Sequence, residues 1–176
     1  MDKLIRLATI EDGAEILGIY KPFITDTTIT FEYEVPSLEE FEDRMENIQS
    51  IYPWFVCEFD NKIVGYILCT EVNIINGEDT NKALAIAPFA VLPEYRNKKI
   101  GSKMIKRAFT KASKLGYKGI VVLGYKSIFE KYGFKPAWIY DVKAPFDVPE
   151  DNYMVKDIKK VYFDNVKGTV EYAEAF

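Results

Sequence analysis

The stretch from Leu84 to Leu115, LAIAPFAVLPEYRNKKIGSKMIKRAFTKASKL, constrains the fold more than any other part of the chain. It reads as an apolar strand, a short basic turn of Arg96-Asn97-Lys98-Lys99, and a long helix starting near Gly101. Met104, Ile105, Ala108, Phe109 and Ala112 return at helical spacing to one face. Gly116 follows the last apolar position, as a helix terminator should. A strand that feeds a turn at a helix start gathers backbone N–H groups into a pocket suited to phosphate.

Charge sharpens that reading. Ten basic residues and no Asp or Glu lie between Tyr95 and Phe129. Cations in the first helical turn oppose the macrodipole, at about 0.3–1 kcal/mol each when exposed. A local rule broken here marks a site, whereas a solvated basic face is the plainer alternative. The formal net charge is −4, so the rest of the chain sums to −14. That asymmetry fits a local anionic ligand on an acidic body. A nucleic-acid binder would be basic overall and would spread its charge over a wider footprint.

At 176 residues the chain is expected to be one domain, residues 1–176, burying about 70% of its unfolded surface. Its opening residues alternate in polarity and hold no run resembling a signal peptide or a membrane span. Cys57 and Cys69 both lie in apolar, strand-like surroundings, which suits buried thiols in a reducing compartment. The expected location is cytoplasmic, with neither membrane nor nucleic acid as partner. The chain has no His, which removes His-based catalysis and most zinc sites.

Taken in order, Leu4–Leu7 reads as a strand, and Thr9-Ile10-Glu11-Asp12 as a capping box opening a helix that stops before Pro22. Residues 22–35 read as irregular or extended. Ser37-Leu38-Glu39-Glu40 is a second capping box, with Leu38, Phe41, Met45 and Ile48 on the buried face of its helix. Trp54–Phe59 and Ile63–Val72 form a hairpin turning at Asp60-Asn61, and Asn73–Asn81 reads as a polar loop. After the central helix come an apolar strand at Gly119–Gly124, a short helix near Ser127–Tyr132, and strands from Phe134 and over Tyr153–Ile158. The fold class is α/β: a mixed central sheet flanked by helices, in the order βααβββαβαβ.

The central segment resembles the GNAT acyltransferases, whose pyrophosphate signature is Arg/Gln-x-x-Gly-x-Gly/Ala after a strand ending in Val-x-Pro. Here Val91-Leu92-Pro93 precedes Arg96-Asn97-Lys98-Lys99-Ile100-Gly101, with Lys99 where the signature has its first Gly. Ser127-Ile128-Phe129-Glu130-Lys131-Tyr132-Gly133-Phe134 is similar to the family's FYEKxGF segment. Residues 29–36 and Tyr52-Pro53-Trp54 resemble phosphinothricin-type N-acetyltransferases. Residues 84–176 resemble another bacterial branch, through Ala87–Val91, Val122-Leu123-Gly124 and Gly168–Tyr172. The βααβββαβαβ order is that of the GNAT fold.

The resemblance implies acetyl-CoA as cofactor. A splay between the strand ending at Val91 and the strand ending near Gly124 would admit the pantetheine. Backbone groups of Phe89, Ala90 and Val91 would bind its amides. Arg96, Asn97, Lys98, Lys99, Ile100, Gly101 and Ser102 would take the pyrophosphate. Thr28, Phe31, Glu32 and Tyr33 would line the acceptor pocket. Many relatives place an acidic Tyr where this chain has Phe129, and phosphinothricin-type relatives have a Glu at the position of Ile86. Glu32, Glu71, Tyr125 and Tyr132 are the replacement candidates for base and acid. A non-Gly residue at position 99 must keep φ below zero or accept strain, and the turn is expected to keep its shape.

The activity implied is acetyl transfer to the amine of a small molecule, an amino acid or an analogue. A peptide or protein acceptor is one alternative, and a non-catalytic acyl-CoA-binding regulatory module is another, favoured by Phe129 and Ile86. The oligomeric state is open, a homodimer included.

Overall fold

Asp60 and Asn61 both carry positive φ, 51° and 59°, the pair of left-handed residues that a tight two-residue hairpin turn requires. They join β2 (Trp54–Phe59) to β3 (Lys62–Asn76) in antiparallel register, with a bulge between Cys57 and Glu58. The computed structural model describes residues 3–26 and 32–173. The other elements are β1 (Lys3–Leu7), α1 (Gly13–Asp26), α2 (Leu38–Gln49), β4 (Asp79–Val91), α3 (Ile100–Lys114), β5 (Gly119–Leu123), α4 (Lys126–Phe129), β6 (Lys135–Pro136), β7 (Val142–Lys143), β8 (Tyr153–Asp157) and β9 (Gly168–Tyr172).

Among the described residues the strands make one mixed, mostly antiparallel sheet in the order β1-β2-β3-β4-β5-β8-β6, with β9 beside β3 and β7 beside β9. The mixed α/β class expected from the sequence is therefore present. Where the sequence reading placed strands from Phe134 and over Tyr153–Ile158, the chain makes four among the described residues, β6 to β9, two of them only two residues long.

Contacts divide the chain into two compact units. Among the described residues, one holds those up to Leu68 together with Pro88–Ala108; the other holds Cys69–Ala87 together with residues 109–173. In the first unit, Trp54 and Val56 of β2 share a face with Leu68 and Tyr66 of β3. The helices α1 and α2 cover that face: the Phe41 ring meets Trp54 edge-on at 5.9 Å and lies 6.4 Å from Tyr20. Burying an apolar side chain of this size contributes about 1.5–3 kcal/mol. Gly65, one residue before Tyr66, points to the opposite face. A Cβ on it would lie 2.8 Å from the Ala90 carbonyl oxygen and 3.1 Å from Met104 Cε. β3 thus approaches the end of β4 and the start of α3 more closely than any side chain permits.

In the second unit β4 and β5 are parallel over Leu84↔Ile120 to Ile86↔Val122, and β8 is antiparallel to β5. β9 closes on β3 over Val72↔Tyr172 to Ile75↔Thr169. Its core is a cluster including Val72, Ile74, Ala85, Val121, Tyr153 and Phe163.

Several expectations need correction. The first helix does not stop before Pro22 but runs through it to Asp26. The ring removes the bond to the carbonyl of Gly18, yet Gly18 and Pro22 both lie on the exposed face, where water can satisfy that carbonyl. Ile16, Ile19, Tyr20 and Ile24 keep the other face buried on both sides of the proline. The Thr9 cap forms as read, with the Thr9 N–H donating to Asp12 Oδ2 at 2.8 Å, but its first turn is a 3-10 helix, Ile10–Asp12. Leu38 is 41% exposed, so the buried face of α2 is Phe41, Met45 and Ile48 alone. Asn73–Asn81 is not a loop: β3 continues to Asn76, Gly77 turns with φ 63°, and β4 starts at Asp79. The polar residues there belong to long strands whose ends lie at the surface. Cys57 and Cys69 are free, buried thiols as expected, and burial pushes Cys69 up to about 12.

Two glycines give opposite tests. Gly65→Ala should lower stability by about 1–3 kcal/mol in urea unfolding, because backbone cannot yield as a side chain can. Gly18→Ala, whose added Cβ meets nothing within 4 Å in the helix interior, should raise it by about 0.5–1 kcal/mol.

Candidate functional site

β4 changes character after Ile86. Its parallel register with β5 covers Leu84–Ile86 only, although the strand continues to Val91. Pro88, inside this extension, has no N–H to give a neighbour. Ala90 is buried, while Phe89 and Val91 are half-buried. Leu92 N–H then donates to the Val64 carbonyl at 2.9 Å, tying the strand end to β3.

The chain next makes one 3-10 turn, Pro93–Tyr95, and reaches Arg96 in an extended conformation. Asn97 and Lys99 follow, each with φ of 62°, and α3 starts at Ile100. A left-handed conformation costs a non-Gly residue about 1–2 kcal/mol. Asn tolerates it through its short polar side chain, whereas Lys has no such help. The sequence reading offered φ below zero or strain at Lys99, and the structure takes strain. The position where the family signature has Gly keeps a glycine-like backbone.

This geometry gathers main-chain N–H groups at the start of a helix. The first N–H groups of a helix have no partner within it. At α3 the Lys103 N–H reaches back to the Lys99 carbonyl at 3.2 Å, and the groups before it stand at the positive end of the helix dipole. Ile100 is buried and anchors the turn, while residues 96–99 are exposed. Among the described residues, Arg96, Lys98 and Lys99 form no ion pair with a carboxylate. The first turn of α3 holds no acid. A doubly charged pyrophosphate fits this donor set of backbone N–H groups and cations.

The cations of the turn differ from one another. Arg96 Nε donates to the Val91 carbonyl at 3.2 Å, linking turn and strand end. The Lys98 ammonium lies 4.8 Å from the Tyr95 ring centroid and 5.9 Å from that of Phe59. Lys3 Nζ donates to the Lys98 carbonyl at 2.7 Å. All these residues belong to the first unit, which therefore brings Phe89–Val91 and Arg96–Ser102 together. Sequence reasoning missed Gly65, Phe59, Tyr95 and Lys3. Only Gly65, an isolated glycine in a strand pattern, gave a signal of close backbone approach.

The candidates for acid, base and acceptor contacts are divided between the two units. Glu32 belongs to the first unit, where the Arg44 guanidinium donates to its Oε1 at 2.5 Å. Tyr33 is 96% exposed, and Thr28 and Phe31 lie outside the described residues. Glu71 is in the second unit, and both of its oxygens are engaged, by Lys82 Nζ at 2.7 Å and Tyr117 OH at 2.6 Å. The Lys82 hydrogen bond first, and that of Tyr117 second, hold its carboxyl below the usual range. Tyr125 caps α4 and is exposed; Tyr132 is half-buried, and its carbonyl accepts from Lys156 Nζ. Phe129 is buried against Gly124 and meets Phe134 edge-on at 5.4 Å, and Ile86 is buried in β4. No group of three or more Cys, Asp or Glu among the described residues could hold a metal ion. No helix among them is long and apolar enough to cross a membrane.

A family model described as "Acetyltransferase (GNAT) family" matches residues 16–134. The chain is 26% identical over 117 residues to the uncharacterized N-acetyltransferase YhbS of Escherichia coli (strain K12), covering 66% of this chain and 69% of that protein. It is 34% identical over 61 residues to the phosphinothricin N-acetyltransferase of Streptomyces viridochromogenes, covering 35% of this chain and 33% of the enzyme. The crystal structure of YhbS from Escherichia coli in complex with CoA superposes with a TM-score of 0.80 at 20% identity, covering 99% of this chain and 91% of that one.

The strain at position 99 predicts that Lys99→Gly leaves stability unchanged or raises it by up to about 1 kcal/mol in urea unfolding. Lys99→Val, with a β-branched residue in the same conformation, should lower it by at least about 1 kcal/mol. Glu71 gives a pH test. Its folded-state pKa lies below the ordinary carboxylate value of 4.5, so its contribution is present above that pH and is lost as pH falls through the folded value. The stability gap between the wild type and Glu71→Gln should be constant from pH 7 down to about 5 and narrow as the solution is made more acidic than that.

Proposed function

The chain belongs to the acetyltransferase (GNAT) family, and from that premise we propose that it is an acetyl-CoA-dependent N-acetyltransferase whose acceptor is the amine of a small molecule, an amino acid or an analogue. The observation that carries the reading is the turn before α3, with left-handed Asn97 and Lys99 set among cations that no carboxylate neutralises. Similarity to phosphinothricin N-acetyltransferase supports a small acceptor. On this reading residues 1–176 act as one acetyltransferase domain in the cytoplasm.

Acetyl-CoA supplies the acetyl group as a thioester, and its sulfur leaves readily because thiol pKa values lie near 8.5. Backbone groups of Phe89, Ala90 and Val91 hold the pantetheine amides. The backbone of Asn97 through Ser102, with the charges of Arg96 and Lys99, holds the pyrophosphate. Residues 28–33 receive the acceptor, with Glu32 held in place by Arg44. The amine proton passes to water or to Glu32, because both oxygens of Glu71 already accept hydrogen bonds. Water protonates the departing sulfur. Phe129 and Ile86 are buried and apolar, so neither moves a proton. Catalysis then rests on positioning, which supplies about 7–11 kcal/mol in favourable cases.

A screen of free amino acids, their analogues and short peptides, read by thiol release from acetyl-CoA, tests the acceptor class. Turnover of free amino acids or analogues is expected, and turnover of peptides alone would reassign the class. Tight CoA binding without turnover of any amine would leave an acyl-CoA-binding module. With the acceptor found, kcat should rise with pH as the free-amine fraction grows, with no descending limb before the phenol range near pH ~10. Arg96→Glu/Lys99→Glu should weaken CoA binding at least about tenfold in calorimetry and flatten its salt dependence.

A further inference from the structure

Left-handed residues such as Asn97 and Lys99 persist only where their surroundings over-determine the backbone. The contacts that do so converge on Lys98, the residue between them. Its ammonium lies over two rings, Tyr95 at 4.8 Å and Phe59 at 5.9 Å. Those rings meet each other edge-on, with centroids 5.5 Å apart. Its carbonyl accepts the hydrogen bond from Lys3 Nζ. Lys3 and Phe59 are themselves register partners on β1 and β2. The first residue of β1, the last of β2 and the 3-10 helix before the turn therefore close on one lysine.

We infer that Phe59, Tyr95 and Lys98 form a latch that preorganises the turn, with Lys98 a positioning residue and not a ligand of the phosphate. The inference rests on the reading that this turn holds the pyrophosphate of CoA. A cation within about 6 Å of a ring face is attracted by the ring quadrupole, and two faces hold it more firmly than one. An ammonium so held is not extended toward an anion, and that task is left to Arg96, Lys99 and the backbone. Once the latch is lost, residues 97 and 99 sample negative φ. Binding must then draw on the fraction of molecules that keep the turn, and apparent affinity falls by that fraction. The loss falls on the cofactor, not on the acceptor or on the chemical step.

Calorimetry with CoA and steady-state kinetics test this. Phe59→Leu and Tyr95→Leu keep apolar volume and remove a ring face. Lys98→Met keeps the stem of an exposed side chain, so its effect does not depend on whether the core folds. Each should weaken CoA binding about three- to tenfold. For the two ring variants, KM for acetyl-CoA should rise by the same factor while kcat and the acceptor KM hold. The double variant Tyr95→Leu/Lys98→Met should bind no worse than the weaker single variant, since both break one contact. Additive losses, together with a shallower salt dependence in Lys98→Met, would make Lys98 a phosphate ligand and overturn the latch while the site reading stands. A wild type that binds no CoA would overturn the site reading itself.

Discussion

The first unit depends on one close approach, that of Gly65 on β3 to the Ala90 carbonyl on β4 and to Met104 on α3. It is possible only because residue 65 has no side chain. From it follow the position of the strand end, the hydrogen bond from Leu92 to Val64, and the place where α3 begins. The turn between strand and helix is held at both ends before any side chain in it makes a contact. The bulge at Cys57 and Glu58, opposite Gly65, bends β2 in the same neighbourhood.

The turn itself trades local stability for the direction of its backbone. Left-handed geometry at Asn97 and Lys99, and a first helical turn without an acid, each run against local preference. Both conflicts fall at the turn proposed to hold the pyrophosphate. At α2 the chain follows local preference: the Ser37–Glu40 box is reciprocal, with the Ser37 N–H donating to Glu40 Oε2 at 2.8 Å and the Glu40 N–H donating to Ser37 Oγ at 3.2 Å.

The acidic groups that look catalytic in the sequence also have partners within the fold. Glu71 ties β3 to Lys82 and Tyr117, and Glu32 ties its segment to Arg44 on α2. Phe129 fills the space beside Gly124, where a Cβ would lie 2.3 Å from the ring. A Gly followed five residues later by an aromatic is thus a packing pair, whatever an aromatic at that position does in relatives.

The sequence by itself determined the strand, turn and helix from Leu84 to Leu115, the Asp60-Asn61 hairpin, the Ser37 cap and the mixed α/β class. Each of these is set by short-range preference: periodicity, capping chemistry and turn residues act over a few positions. Only tertiary structure decided the rest. Pro22 stays helical because its face meets water while Ile24 stays buried, and propensity alone cannot weigh that. Asn73–Asn81 is strand because β9, almost a hundred residues later, pairs with Val72–Ile75. The left-handed Lys99 was visible only as a departure from a motif. What holds it there, Lys3, Phe59 and Tyr95, comes from three separate elements, and such contacts leave no periodic trace in a chain.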